Sequence, residues 1–205
     1  MSVATTSATV RPSAPADRDA IAAVLAGAFA DDPVFEWVIP DPERRTAILP
    51  EVFTLFADAY QPIGASQVLV GSGSVVSAAL WAAPGTQAVP EQDADAFAAA
   101  VERVCGPDSG RFFEAMKLLE ERHPTEACYY LNLIGVDPAL RGRGLGSTLL
   151  SATLERCDAG SSPAYLEATS PRNRRLYARH GFEVVGEVTL PEGPSLWRMW
   201  REPRR

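Results

Sequence analysis

The residues whose types and spacing best suit ligand binding form a turn rich in glycine and arginine, Arg141-Gly142-Arg143-Gly144-Leu145-Gly146. A strand-like run precedes this turn and an apolar helical run follows it. The glycines allow positive φ and a close backbone approach, and the first N–H groups of the new helix point toward the turn. The positive charges of Arg141 and Arg143 add to the positive end of the helix dipole, so the segment predicts a site for an anionic, phosphate-sized group. An ordinary glycine-rich connection between a strand and a helix is the alternative.

The spacing of this turn fits neither of two common nucleotide-binding motifs. No Lys-Ser or Lys-Thr pair follows it, as a P-loop requires, and no acidic residue ends a second strand about 20 residues further on. The pattern is instead Arg-x-x-Gly-x-Gly, formed by Arg141, Gly144 and Gly146 after a strand that ends in Gly-Val-Asp-Pro. It resembles the pyrophosphate-binding turn of the GNAT family of N-acetyltransferases, which use acetyl-coenzyme A (acetyl-CoA).

The resemblance continues from about Tyr129 to the C-terminus. It includes Tyr165-Leu166-Glu167-Ala168-Thr169 as the next strand, Ser170-Pro171-Arg172-Asn173 at a helix start, and Tyr177 before His180-Gly181-Phe182. Two shorter segments resemble more narrowly the subgroup of puromycin N-acetyltransferase and its relatives. They are Phe29-Ala30-Asp31-Asp32-Pro33 and Pro191-Glu192-Gly193-Pro194.

The resemblance implies an acetyl-CoA site that runs from the strand end through the turn to the next helices. The pyrophosphate would lie on the turn, the pantetheine arm beside Asn173, and a backbone N–H near Val136 would polarise the thioester carbonyl. The residues implied to bind the cofactor are Ile134, Val136, Arg141, Gly142, Arg143, Gly144, Leu145, Gly146, Ser147 and Asn173. Tyr177 matches the family's usual general acid, which protonates the leaving thiolate. The alternative for Tyr177 is a core tyrosine on an amphipathic helix.

A general base for the amine is harder to place. Some family members keep a glutamate in the strand before the turn, whereas residues 129–136 contain no carboxylate here. Glu167 is the substitute, because it lies among apolar residues of the next strand, where burial raises a carboxyl pKa toward useful values. The subgroup resemblance also implies a glutamate at this position. A salt-bridged structural glutamate is the alternative.

The acceptor amine is predicted to meet residues between the first two predicted helices. In the resembled family this loop overlies the acceptor pocket, so Asp31, Asp32, Phe35 and Trp37 are the predicted substrate-binding residues, and Glu36 lies among them. Asp31 and Asp32 have helix termination as their alternative role. Phe35 and Trp37 have a place in the core as their alternative. Other aromatic residues likewise either line the pocket or belong to the core, namely Trp81, Phe112, Trp197 and Trp200. The isolated His123 and His180 are interpreted as structural.

The elements that must position these groups follow from periodicity. Helices are predicted from Ala16 to Asp31 and from Asp41 onward, with Pro50 as a break or kink, and a hairpin at 67–71 and 74–82. Strand and helix then alternate from Tyr129, and a second hairpin ends the chain. A further strand is predicted at 5–10. The fold class is therefore α/β, a GNAT-like mixed central sheet splayed at the cofactor cleft, with helices on both faces. A single domain, 1–205, is expected, with 84–128 as a helical insertion and a bulge at Gly135.

Composition limits the partners. The net charge of −7 disfavours nucleic acid and anionic membranes, and no early charge or apolar run predicts a secretory signal, so a cytoplasmic location is expected. Residues 1–128 hold 8 basic and 18 acidic side chains, while residues 129–205 hold 11 and 8. A basic half suits an anionic cofactor and an acidic half a cationic amine, although surface charge can also vary without function. The widely spaced Cys105, Cys128 and Cys157 predict neither disulfides nor a metal site.

These observations predict an N-acetyltransferase that moves an acetyl group from acetyl-CoA to a small-molecule amine by direct transfer. It would act as a monomer or a homodimer. Two alternatives stay open. One is a non-catalytic module that binds or senses acyl-CoA, which the missing strand carboxylate allows. The other is a peptide N-terminal acetyltransferase, which would need an open groove rather than a pocket.

Overall fold

A computed structural model describes residues 8–204 of the chain. Its strands are β1 Thr9–Pro12, β2 Gln67–Gly71, β3 Ser74–Ala82, β4 Tyr129–Val136, β5 Ala164–Ala168, β6 Glu183–Thr189 and β7 Ser195–Arg201. Its α-helices are α1 Arg18–Phe29, α2 Pro33–Val38, α3 Pro42–Tyr60, α4 Ala94–Cys105, α5 Ser109–Glu120, α6 Leu145–Ala159 and α7 Pro171–Arg179. Part of the first predicted strand, residues 5–7, lies outside the described range; the observed strand β1 begins at Thr9.

The seven strands form one open mixed sheet in the order β1-β2-β3-β4-β5-β7-β6. Neighbours are antiparallel except β4 and β5, which run parallel and are joined by the crossover helix α6. Helices cover both faces, and the predicted fold class is confirmed. Within residues 8–204, no helix is long and apolar enough to cross a membrane.

Two hydrophobic cores lie on opposite faces of the sheet. One packs α1 to α5 against the sheet and includes Leu25, Phe53 and Leu80. The other packs α6 and α7 and includes Trp81 and Leu150. Leu80 and Trp81 are neighbours in β3 and face different cores, as the two-residue period of a strand requires. Burial of these apolar side chains on both faces fixes the register of the central strands.

A bulge in β4 changes which face its residues occupy. The pairing of β3 with β4 shifts between Leu80 and Trp81, which pair with Leu133 and Leu131, so Asn132 is the extra residue. Leu131 therefore faces the α6 core, whereas Leu133 faces the α1 core. An unbulged strand would place both on one face. The predicted bulge at Gly135 is wrong, because Gly135 pairs regularly with Ala78.

Gly135 is instead required by close packing. A Cβ atom at this position would lie 2.8 Å from the Cβ of Ala28 and 2.9 Å from Cδ2 of Leu25, both on α1. The glycine lets α1 lie directly on β4. This contact brings the C-terminal end of α1 beside the end of β4, where the predicted cofactor turn begins.

The segment between the first two predicted helices is not a loop throughout. It contains α2, whose N-terminus is capped by Asp32, with the side chain accepting from the N–H of Val34 at 2.9 Å. The prediction that Asp31, Asp32 and Glu36 occupy a loop is therefore wrong for Glu36, which lies within α2. Helix α3 also continues through Pro50, which neither breaks nor ends it. Between β3 and β4, the predicted helical segment contains α4 and α5.

Candidate active site

The candidate site begins where two parallel strands separate. Residues Tyr129–Leu131 of β4 pair with Ala164–Leu166 of β5, and beyond these residues the two strands diverge. The Asn132 bulge lies at the point of separation. A cavity of about 860 Å³ opens there and extends under the segment that carries α4 and α5. A crevice at the carboxyl ends of parallel strands is a common place for ligands in α/β proteins.

The turn after β4 has the geometry of an anion cradle. Gly142 and Gly144 both have φ of +80°, a left-handed conformation that favours glycine. Gly144 is the N-cap of α6, and a Cβ on Gly146 would lie 3.3 Å from Val136 at the end of β4. Within the described chain, the N–H groups of residues 142–147 have no protein acceptor. Unpaired N–H groups at a helix N-terminus fit a phosphate or pyrophosphate oxygen.

Two side chains of the turn have partners that the sequence did not predict. Arg141 donates through Nη2 to the carbonyl oxygens of Ala28 at 2.9 Å and Gly27 at 3.3 Å, so it caps α1. The hydroxyl of Ser147 lies 2.5 Å from Nε2 of His180, which joins the start of α6 to the end of α7. Their side chains thus hold the turn in place, whereas Arg143 is exposed beside it.

Helix α7 presents Asn173 and Tyr177 to the cavity from one face. The helix starts where the sequence predicted: Ser170 is the N-cap and accepts from the N–H of Asn173, and Pro171 is the first residue. Its C-cap is His180, followed by Gly181 with φ of +92°. Tyr177 is buried at 6% exposure and packs edge-on against Phe182. Burial and the nearby Asp32 carboxylate raise the pKa of the Tyr177 phenol, which therefore keeps its proton at neutral pH.

Glu167 extends from β5 into the same cavity. Burial raises the pKa of its carboxyl to about 7, while the hydroxyls of Tyr165 and Tyr130 and the charge of Arg198 limit the rise. Its Oε1 atom is buried without a hydrogen-bond partner among residues 8–204. Arg198 pairs with Glu167 in the β5–β7 register, but its guanidinium donates to the carbonyl of Arg122 at 3.1 Å. Among residues 8–204, Glu167 therefore forms no salt bridge, and its role as the base stays a prediction.

The predicted acceptor residues separate into two groups. Asp32 and Phe35 are buried and line the cavity. Asp32 also accepts from the hydroxyl of Thr169 at 2.5 Å, which ties α2 to the end of β5, and burial raises its pKa. Asp31 and Trp37 do not line this cavity, and their predicted role in acceptor binding stays a prediction.

Trp37 and Asp31 are directed elsewhere by local structure. Asp31 is exposed at the end of α1, before the capping residue Asp32. Trp37 donates through Nε1 to the carbonyl of Pro191 at 2.9 Å, and a Cβ on Gly193 would collide with its ring at 2.5 Å. Trp37 therefore fixes the turn of the final hairpin, while Arg111 donates to its carbonyl at 2.9 Å.

Three cavity residues were not predicted as functional, namely Asn132, Tyr130 and His123. The Asn132 amide donates to the Tyr130 hydroxyl at 3.1 Å, and its Oδ1 atom is buried without a partner in the described structure. His123 follows α5 and packs edge-on against Tyr130 at 4.7 Å between ring centroids. The residue is exposed as a whole, but the tyrosine rings beside it partly desolvate the imidazole and so lower its pKa. A polar residue inside an otherwise apolar strand was the signal that could have identified Asn132.

The remaining aromatic predictions divide between cavity and core. Phe112 is buried and lines the cavity, whereas Trp81 is fully buried in the core on the α6 face. Trp197 and Trp200 lie outside the cavity wall; Trp197 packs beneath the guanidinium of Arg174, and Trp200 donates to Glu202. Across the described residues, no group of three or more metal-binding side chains occurs, and Cys105, Cys128 and Cys157 are buried free thiols.

The open mixed sheet, the separated parallel strands and the glycine turn define an α/β acetyltransferase-like site, and comparisons with known proteins agree. Residues 104–184 match the family model of the acetyltransferase (GNAT) domain. A solved structure from Corynebacterium glutamicum, named histone acetyltransferase HPA2 and related acetyltransferase, is 32% identical, covers 97% of this chain and 98% of its own, and has a TM-score of 0.74. The chain belongs to the GNAT family of acetyltransferases.

Two further relatives are more distant or shorter in overlap. An acetyltransferase of Agrobacterium fabrum is 32% identical over 84 residues, which are 40% of this chain and 60% of the relative's length. The polyamine N-acetyltransferase of Drosophila melanogaster, which forms N-acetylagmatine, is 19% identical, covers 96% of this chain and 100% of its own, and has a TM-score of 0.65. At this identity the second similarity concerns the fold. The narrower resemblance to puromycin N-acetyltransferase stays a prediction.

Proposed function

We propose that this protein transfers an acetyl group from acetyl-CoA to the amine of a small molecule in one direct step. The observation that carries the proposal is that Glu167 and Tyr177 reach one cavity, at the place where β4 and β5 separate. The carboxyl pKa of about 7 suits a general base, and the neutral phenol suits a general acid. The N–H groups of residues 142–147, which have no acceptor in the described chain, support pyrophosphate binding nearby.

Acetyl-CoA would supply the acetyl group as a thioester. Glu167, directly or through water, takes a proton from the ammonium group, so that the nitrogen lone pair is free to bond to the acetyl carbon. As this C–N bond forms, the C–S bond breaks. Tyr177 gives its proton to the departing sulfur, and the second proton of the nitrogen leaves to solvent through the cavity. The amide and a free thiol are the products, with one net proton released.

The cavity wall favours a cationic amine. Four carboxylates line it, namely Asp32, Glu120, Glu126 and Glu167, while no lysine or arginine is found in the part of the wall that the structure describes. This arrangement attracts ammonium groups and disfavours anions. The acidic half predicted from the sequence supplies three of these four side chains.

Release of free thiol from acetyl-CoA tests the proposal. The purified protein is given a panel of amines that includes polyamines, agmatine, aromatic amines, amino acids and puromycin, and mass spectrometry identifies the acetylated product. Amine-dependent thiol release with one acetyl group added to nitrogen is expected. Tight binding of acetyl-CoA without transfer to any amine or peptide would instead identify an acyl-CoA-binding module. Transfer to peptide N-termini alone would identify the peptide acetyltransferase.

A further inference from the structure

We infer that the acceptor carries its single cationic nitrogen on one bulky apolar body of aromatic size, rather than on a polyamine chain. This inference rests on the proposed N-acetyltransferase function and names the class of its substrate. It depends on the composition of the cavity wall and on the partners of its carboxylates.

Five of the chain's eight phenylalanines line the cavity, and each comes from a different helix. They are Phe29 of α1, Phe35 of α2, Phe56 of α3, Phe97 of α4 and Phe112 of α5. Their rings form two groups: the centroids of Phe29 and Phe35 lie 5.6 Å apart, and that of Phe56 lies 6.3 Å from Phe97 and 6.1 Å from Phe112. The buried Phe53 joins the groups, at 5.4 Å from Phe29 and 6.3 Å from Phe56. Five helices therefore converge to form one aromatic chamber, defined here by these five rings.

The chamber is not simply a closed core. Phe56 and Phe97 are only half-buried, and Met116 beside them is 37% exposed. These apolar surfaces face the cavity, where water would otherwise contact them. Apolar surface left open inside a pocket is stabilised by an apolar ligand, since binding removes that surface from water.

Polarity changes along α5 from one end to the other. Phe112, Ala115, Met116 and Leu119 form an apolar stripe at helical spacing along the cavity wall. The stripe then continues into Glu120 and His123, which are exposed. The apolar part of the wall is therefore separate from its exposed acidic part. The exposed carboxylates attract cations toward the cavity, but they are not placed among the phenylalanine rings.

Among the described residues of the cavity wall, Glu167 is the one buried carboxylate with an oxygen atom that has no hydrogen-bond partner. Asp32 already accepts from the N–H of Val34 and the hydroxyl of Thr169. Glu167 has a buried Oε1 atom without a partner in the described part of the chain. Glu167 can receive the reacting ammonium group, whereas the five rings of the aromatic chamber supply no acceptor to a second ammonium or guanidinium group placed among them. Desolvation of a charge without a partner is unfavourable, so a polyamine fits this cavity less well.

The test compares amines that differ in the body attached to nitrogen. Steady-state acetylation is measured for phenethylamine, propylamine, agmatine and spermidine at saturating acetyl-CoA. We expect kcat/KM for phenethylamine to exceed that of each other amine by at least about tenfold, in keeping with burial of an apolar ring. Equal or higher kcat/KM for agmatine or spermidine would overturn the inference.

Phe97→Ala removes one ring from the chamber, and Phe113→Ala is its matched control. Phe113 packs against Phe112 in α5 but lies outside the cavity wall. Phe97→Ala should raise KM for phenethylamine about tenfold while KM for propylamine stays within about twofold, since only the larger amine uses the ring. Phe113→Ala should leave the ratio of the two KM values unchanged. A loss shared equally by both amines in Phe97→Ala, with folding confirmed by circular dichroism, would contradict a chamber for the apolar body.

Failure of the proposed function can be distinguished from failure of this inference. If no amine is acetylated, the proposed function is wrong. Calorimetry with CoA and each amine then tests whether the aromatic chamber binds an apolar amine. Tighter binding of phenethylamine than of agmatine, weakened by Phe97→Ala, supports the aromatic chamber as a ligand site. Tighter binding of agmatine, or binding unaffected by Phe97→Ala, overturns it.

Discussion

Glu167 and Tyr177 reach one cavity in complementary protonation states. Burial raises the pKa of both groups, but the consequences differ because a carboxylate loses its charge at low pH and a phenol gains charge at high pH. The carboxyl of Glu167 reaches a pKa of about 7, so it exchanges a proton near neutral pH. The phenol of Tyr177 is kept protonated. The same physical effect therefore suits one side chain to accept a proton and the other to donate one.

Tyr177→Phe should lower the chemical rate while keeping the affinity for acetyl-CoA. The ring and its contact with Phe182 remain in this variant, and only the proton donor is lost. A reduction in kcat of about 10- to 1000-fold is expected. Steady-state kinetics together with calorimetry for CoA provide the measurement, with Tyr129→Phe, outside the cavity wall, as a second hydroxyl deletion. Wild-type turnover under conditions where chemistry limits the rate would remove Tyr177 as the acid.

The pH profile tests Glu167 as the base. The wild-type rate should rise with pH and level off above the carboxyl pKa of about 7, because the ionised form is the active one. Glu167→Gln should lower kcat and remove this limb, and higher pH should partly restore its rate, since more free amine is then neutral. If Glu167 only binds the cation, KM should rise with kcat nearly unchanged. A folded variant that shows neither change would make Glu167 structural.

At the residue scale, the sequence predicted which side chains could do the chemistry better than it predicted which residues those side chains contact. Glu167, Tyr177 and Asn173 were predicted from the sequence and do share a cavity. Asp31 and Trp37 were placed beside it by proximity to Asp32 and Phe35 in the chain, but α2 and the final hairpin direct them elsewhere. His123 was missed because it lies 44 residues from Glu167 in the numbering, and only folding brings their surroundings together.

At the scale of elements, the turn between β4 and α6 depends on backbone conformation more than on space. A Cβ on Gly144 would meet no heavy atom within 4 Å, yet its φ of +80° is unfavourable for a β-branched residue. The side chains of Arg141 and Ser147 attach this turn to α1 and α7. A residue that disfavours this conformation at position 144 should therefore change the direction of the N–H groups of the turn and leave the core intact.

Gly144→Val should weaken acetyl-CoA binding, while Gly144→Asn should weaken it less. Valine disfavours the left-handed conformation, whereas asparagine tolerates it, and both add a side chain at the same exposed point. We expect a loss of at least about tenfold for valine, which corresponds to about 1.4 kcal/mol. Calorimetry with CoA measures it, and thermal melts confirm folding. Unchanged affinity in folded Gly144→Val would show that the turn does not hold the cofactor.

The elements themselves could be predicted where apolar periodicity and turn residues agree. Both strands of the first hairpin, 67–71 and 74–82, have the predicted bounds, because Gly71-Ser72-Gly73 marks the turn clearly. Helix α2 was missed, since its six residues are too few for a helical period to appear. The bulge at Asn132 was also missed, because the register of β4 is set by its packing against β3 and by the helices on both faces.

At the scale of the whole molecule, the site lies between two cores, and polar contacts hold the helices of each core together. Arg45, at 7% exposure, donates to the carbonyls of Ala30 and Ile39 and so holds α1, α2 and α3 together on one face. On the other face, Arg201 forms a bidentate pair with Asp158 at 2.7 and 2.8 Å and donates to the carbonyl of His180. These contacts fix the helices that carry Asp32 and Tyr177 while leaving the cavity between them open.

Stability should respond to pH in opposite directions at the two kinds of carboxylate. The Arg201 guanidinium lowers the pKa of Asp158, so its contribution to stability is present above its unfolded value near 3.8 and is lost as the pH falls below it. Glu167 has the opposite sign. Its folded pKa of about 7 exceeds the ordinary glutamate value of 4.5, so its contribution is fully present below pH 4.5 and is lost as the pH rises through 7.

Glu167→Gln should therefore stabilise the free protein at alkaline pH and have little effect in mild acid. At pH 8 the wild type must keep a buried carboxylate ionised, whereas glutamine carries no charge; the gain should be about 1 to 3 kcal/mol, or several degrees in Tm. At pH 4.5 both side chains are largely neutral in the folded state. Thermal melts at the two pH values measure the difference, with the exposed Glu51→Gln on α3 as control. A Tm difference between wild type and Glu167→Gln that is the same at pH 4.5 and pH 8 would show that the cavity does not penalise the charge of Glu167.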